Sequence, residues 1–143
     1  MKGDVIPDND HVARYCKPSS VEDGVISATA FMLREEIREQ YLSVNWLEYL
    51  DVADRATEIR TLQTLYSNML TVRANARIAV LNVGNTRTQV ERDSPDTRVI
   101  RILHEPIEPN DMSHSGIYDL RYDDELIAEL IASSIQEVYP ARA

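Results

Sequence analysis

The sequence predicts an α+β fold, or a small α/β one: a mixed sheet of about four to five strands with two main helices, near 54–70 and 123–138, packed on it. Three observations carry this. Ala76 to Val83 is nearly continuous aliphatic, as a strand covered on both faces reads. Ile59, Leu62, Tyr66 and Met69 recur at helical spacing behind Asp54. After Asp51 the chain alternates helix, strand, helix, strand, helix. At 143 residues one domain, 1–143, is expected, large enough to bury a core without disulfides or metals.

The elements follow in order. Residues 1–10 are polar and read as a loose N-terminal segment. His11 to Cys16 reads as a short strand, halted by Lys17-Pro18-Ser19-Ser20, and Asp23-Gly24 is a turn signal. Val25 to Leu33 leans towards strand without clean alternation. Arg34 to Gln40 is a charged, solvated run. Tyr41 to Val44 is a strand, after which Asn45 is placed to cap a short turn carrying Trp46, Leu47 and Tyr49. Asp54 caps a helix that runs to about Leu70. Gly84-Asn85-Thr86 opens a polar helix to about Asp93, which Ser94-Pro95-Asp96 breaks. Thr97 to His104 is a strand interrupted by Arg98 and Arg101. The connection from Val83 to Thr97 is about a dozen residues, near the minimum for a parallel crossover. Asp123-Asp124-Glu125 sits where a helix dipole favours carboxylates, and Leu126, Ile127, Leu130, Ile131, Ile135 and Val138 continue that helix's apolar side.

Composition narrows the class. Hydrophobic residues are 43% and charged residues 27%, ordinary values for a globular protein. The net charge of −9 favours solubility and a basic protein partner, and it repels nucleic-acid backbones overall. Cys16 is the single cysteine, so no internal disulfide forms, which suits a reducing compartment. No apolar run approaches the roughly 18 residues of a membrane helix, and the opening residues do not read as a signal peptide. A cytoplasmic location without a membrane partner is the expectation.

Residues 99–114 hold the densest chemistry. An apolar run stops at His104, and an acidic, proline-spaced loop leads to His114. His104, Glu105, Asp111 and His114 are residue types that bind a divalent metal or exchange protons, although the spacing matches no fixed pattern. The plainer reading has His104 bonding backbone at a strand end, with Asp111 or Ser113 capping a short helix that carries His114. Tyr41, Trp46, Tyr49 and Leu50 form an aromatic patch suited to core packing or to a partner. Cys16 lies about 17 Å along an extended chain from His11, too far for activation, and reads as a buried thiol. Val83-Gly84-Asn85-Thr86 lacks the further glycines or lysine of a phosphate loop and reads as a turn.

Asp10 to Ser19, Tyr41 to Tyr49, and Ile102 to Pro106 with Ser113-His114-Ser115 together resemble a group of small uncharacterised bacterial proteins. That resemblance implies a bacterial, intracellular, single-domain protein and carries no reaction. A looser one is to ADP-ribosyltransferases, which bind NAD with an early-strand Arg or His, an aromatic–Ser motif and then a Glu. Arg14 or His11, Ser43 and Glu105 stand here in that order. The Ser-Thr-Ser strand pattern is absent, and Glu105 precedes a proline loop.

The leading expectation is a non-enzymatic accessory protein that acts through protein contacts. It would present the 104–116 loop and the 41–50 aromatic segment, with Tyr41, Trp46, Tyr49, Asp111 and Ser113 as binding residues and no cofactor. The alternative is a small enzyme using His104, Glu105 and His114, or a divalent-metal site on His104, Asp111 and His114. The third is an NAD binder using Arg14, Ser43 and Glu105. An enzyme requires His11, His104 and His114 to converge in a cleft. An interaction module requires the acidic loop to stand in solvent.

Overall fold

The computed structural model describes all 143 residues. In chain order, β1 (His11–Cys16) is followed by a short hairpin of β2 (Val21–Glu22) and β3 (Val25–Ile26), then by β4 (Leu42–Trp46). Helix α1 (Arg55–Met69), β5 (Arg77–Asn82) and α2 (Val83–Asp93) come next. The chain ends with β6 (Arg101–His104), β7 (His114–Tyr118), α3 (Glu125–Ser133) and β8 (Glu137–Pro140). Six strands form one sheet in the order β6-β7-β4-β1-β5-β8.

The α+β class is as expected, and the sheet corrects the sequence reading in count and direction. Every ladder is antiparallel. β5 and β6 do run the same way, but β1, β4 and β7 lie between them. The link from β5 carries the chain across one face of the sheet to its far edge instead of returning it beside β5.

Two layers cover the sheet. On one face Val12, Leu42, Val44, Ala79, Leu81, Ile102 and Ile117 pack against Phe31, Val90, Ile127 and Ile131. These come from α2, α3 and the irregular segment 28–34. On the other face α1 sets Ile59, Leu62 and Tyr66 against Ala13, Ile78 and Val80. Each fully buried aliphatic side chain contributes about 1.5–3 kcal/mol of transfer free energy. Leu62, with no exposed surface, would cost about 2–5 kcal/mol as alanine. That second face continues past β1 onto β4 and β7, where its residues are Ser43, Asn45 and His114.

Local signals explain why several elements form where the sequence placed them. Asp54 accepts the backbone N–H of Thr57 at 2.8 Å and starts α1. Asn82 accepts that of Asn85 at 2.8 Å and starts α2. Asp23 and Gly24 have φ of 52° and 77°, the pair of positive values a two-residue hairpin loop requires.

Other segments differ. Residues 1–10 are not loose: Ile6 is wholly buried, its N–H bonds the carbonyl of Ile102 at 3.1 Å, and His104 N–H bonds Asp4 at 2.8 Å, so the segment shields the β6 edge. Val25 to Leu33 keeps only Val25–Ile26 as strand; Ala28–Phe31 coils into a 3-10 turn that buries Ala30 and Phe31. Asn45 caps nothing; it lies inside β4. The strand expected from Thr97 begins at Arg101. The last helix ends at Ser133 and not near 138, because Ser134 turns back to bond Ile131 and residues 137–140 pair with β5. Its apolar period had run on through a strand whose Val138 is 45% exposed.

Candidate functional site

Sheet register decides which candidate residues meet. Residues paired across a ladder share a face, and neighbours in one strand do not. His104 pairs with Ser115, and His114 pairs with Asn45. The two imidazoles therefore lie on opposite faces of the sheet. His11 stands elsewhere, its Nδ1 2.7 Å from Glu48. The three histidines do not converge, and no three His, Cys, Asp or Glu side chains are grouped to hold a metal ion. The metal set His104, Asp111 and His114 is thus not assembled, because the register splits it.

The loop's chemistry points inwards while its tip points out. His104 is 2% exposed and His114 is 7% exposed, whereas Ile107 is 47% exposed. Asp111 and Ser113 are buried too. The expectation that these residues face solvent is corrected; only the stretch Ile107–Asn110 does so. Both rings bond backbone, as the plainer reading held for His104: Nε2 of His104 lies 2.7 Å from the Met112 carbonyl, and Nδ1 of His114 lies 2.8 Å from the Glu105 carbonyl. His114 opens β7 and is not in a helix.

The aromatic segment divides in the same way. Trp46 and Tyr49 enclose His104, with ring centroids at 5.2 and 4.8 Å. Trp46 also donates its indole N–H to Asp10 at 2.9 Å, as a half-buried indole needs. Tyr41 lies on the opposite side, stacked on Tyr118 at 4.9 Å and edge-on to His114 at 5.9 Å. Gly116 makes room for it: a Cβ there would meet Tyr41 Cδ1 at 2.3 Å.

On the His114 face a buried polar network runs through Asn45. Its Nδ2 donates to Asp111 Oδ1 at 2.8 Å and Ser113 Oγ at 2.9 Å, and its Oδ1 accepts the Tyr66 hydroxyl at 2.7 Å. Burial raises the Asp111 pKa above the usual carboxylate value, against the lowering pull of His114, Asn45 and Ser113. Burial also pushes the Tyr66 phenol up.

This network floors a cavity of about 420 Å³, within the range of small-molecule sites. The cavity exists because the sheet splits. β1 and β4 pair only at Val12–Trp46 and Ala13–Asn45. Beyond them the strands part, and segment 28–34 and the Arg14 guanidinium enter the gap. Arg14 donates Nε–H to the Ala30 carbonyl at 2.9 Å and Nη1–H to the Ser43 carbonyl at 2.8 Å. Arg14, Ser43, Asn45, Asp111 and His114 all line the cavity, with Tyr15, Tyr66, Met32 and Ile107 among its walls.

Of the expected site residues, the fold thus gathers Arg14, Ser43, Asp111 and His114 around one space. Glu105, the third member of the NAD-binding set, does not line it. His104, Trp46 and Tyr49 lie across the sheet. Cys16 is buried, and burial pushes its thiol up to about 11, so it is no nucleophile. Tyr66, Asn45, Lys17 and Arg34 were missed as site residues. One signal was legible: Asn45 directly follows the strand-like run Tyr41–Val44, at the parity of Ser43. No family model, curated protein or solved structure matches this chain.

Proposed function

We propose that this protein works by binding: the cavity at the β1–β4 split takes a small molecule or the end of a chain, and the protein acts through what it holds. The observation that carries the reading is that two segments remote in sequence, 41–50 and 104–116, both line one cavity, the first through Ser43 and Asn45 and the second through Ile107, Asp111 and His114. Its floor is buried and fully hydrogen-bonded, and its rim carries exposed side chains, the arrangement of a preformed site. The exposed tip Ile107–Asn110 stands beside that rim, where a protein partner would sense an occupied cavity; the net charge of −9 favours a basic one.

A catalytic reading has one observation in its favour. Asp111, with a raised pKa, and His114 line the same cavity, and perturbed groups in clefts mark functional sites. Both side chains are held by hydrogen bonds that orient them, which serves recognition equally well.

The test is a thermal-shift screen with amino acids, nucleotides, dicarboxylates and sugar phosphates, run on the wild type and on Ser43→Trp, which fills the cavity. The reading expects stabilisation by a subset of compounds that Ser43→Trp abolishes. Stabilisation that survives in the filled variant, or none by any compound, contradicts it.

A further inference from the structure

The cavity is cationic in an acidic protein. Arg14, Lys17 and Arg34 line it against one carboxylate, Asp111, while the chain as a whole carries −9. Arg34 is paired with Glu39 at 3.2 Å. Lys17 is exposed and makes no ion pair. Arg14 makes none either: its two hydrogen bonds go to the neutral carbonyls of Ala30 and Ser43. Glu39 is the one carboxylate whose field reaches Arg14, and its oxygens are engaged by the backbone N–H and guanidinium of Arg34.

A guanidinium carries five N–H donors, so Arg14 retains three. No buried side-chain nitrogen or oxygen lacks a partner. Nη2 of Arg14 makes no hydrogen bond, so it retains accessible surface, and Arg14 is among the residues that line the cavity. A half-buried cation with free donors in a fork is the geometry that receives carboxylate or phosphate in pairs of hydrogen bonds. Withdrawing such a charge from water without a counter-charge is costly, and an incoming oxyanion relieves that cost. Burial holds the Arg14 pKa below its ordinary value, the mark of a cation short of compensation, yet arginine stays charged.

We propose that the cavity recognises an organic anion, its carboxylate or phosphate seated on Arg14 with Lys17 and Arg34 at the mouth, and its body against Tyr15, Tyr66 and Met32. This rests on the cavity being the working site. The Asn45–Asp111 floor then meets the end of the ligand distant from the oxyanion and supplies its hydrogen-bond selectivity.

The test uses four probes that share a ring and differ in head group: benzoate, phenyl phosphate, benzamide and benzylamine, titrated calorimetrically into the wild type, Arg14→Met, Lys17→Glu and Ser43→Trp. The expected result is that benzoate or phenyl phosphate binds at least tenfold more tightly than benzamide and benzylamine. Arg14→Met abolishes the difference, Lys17→Glu weakens the anions several-fold, and Ser43→Trp blocks all four. Whichever anion binds more tightly identifies the natural head group as carboxylate or phosphate. Lys17 lies on the surface, so its variant remains informative if Arg14→Met fails to fold. Equal binding of all four probes, or anion binding indifferent to Lys17→Glu, overturns the anion assignment while leaving a binding cavity. Absence of binding by any probe removes both.

Discussion

Asn45→Leu is the sharpest probe of the floor of the site. The substitution keeps the branched four-atom side chain and removes three hydrogen bonds of 2.7 to 2.9 Å, to Tyr66, Asp111 and Ser113. An unsatisfied buried polar group costs about 1–3 kcal/mol. The three losses are not equal. Ser113 and Tyr66 are neutral, and water in the adjoining cavity can reach part of the network. Asp111 already has a raised pKa and can take up a proton in place of the lost donor. A sum near the low end of each range gives about 3 kcal/mol. For a chain of 143 residues that corresponds to a fall in Tm of about 6–12 °C. Urea denaturation followed by circular dichroism measures the free energy, and a cycle with Tyr66→Phe isolates the Tyr66–Asn45 coupling, expected at about 1 kcal/mol. A loss under about 0.5 kcal/mol in Asn45→Leu, or zero coupling in the cycle, would refute the network as a stabilising floor.

Three other outcomes follow from the same structure. Burial raises the folded pKa of Asp111, so the stability it contributes is present at low pH and lost as pH rises through the folded value; Asp111→Asn should gain on the wild type as pH rises above the ordinary carboxylate value, and a constant difference would contradict this. Gly116→Ala places a methyl inside contact of the Tyr41 ring and should cost about 1–3 kcal/mol by chemical denaturation, with the Tyr41–Tyr118 stack disturbed in near-ultraviolet circular dichroism. Cys16, buried and shifted up to about 11, should react with a thiol reagent only at the rate of unfolding; fast modification in the native state would contradict its placement.

The elements legible in the sequence are those with signals inside a few residues. Asp54 announced α1, Gly84-Asn85-Thr86 announced α2, although the cap itself is Asn82, and the aliphatic run of β5 needed no partner to be recognised. β7 was invisible because His-Ser-Gly-Ile-Tyr is short and its central glycine weakens the strand signal of Ile117 and Tyr118; it is extended because β4 and β6 flank it and because Gly116 admits Tyr41. The end of α3 was overrun for the converse reason. The apolar period continued, and pairing with β5 overrode it.

The site followed the same division. Its residue types were visible singly, in Arg14, Ser43, Asp111 and His114. Their grouping was not, since it depends on one event remote in sequence from all of them: the parting of β1 from β4 after two paired positions. The register that separates His104 from His114 also joins His114 to Asn45. Neighbours along the chain were thereby sent to opposite faces, and strangers were brought together.

The most direct measurement is amide and arginine side-chain chemical-shift mapping by NMR as benzoate and phenyl phosphate are titrated in. Shifts confined to 14–17, 29–34, 43–45, 66–70 and 107–114 are expected, with the Arg14 Nε–H resonance among the largest. Shifts centred on Trp46, Tyr49 and His104 across the sheet, or an Arg14 resonance that does not move, would contradict this.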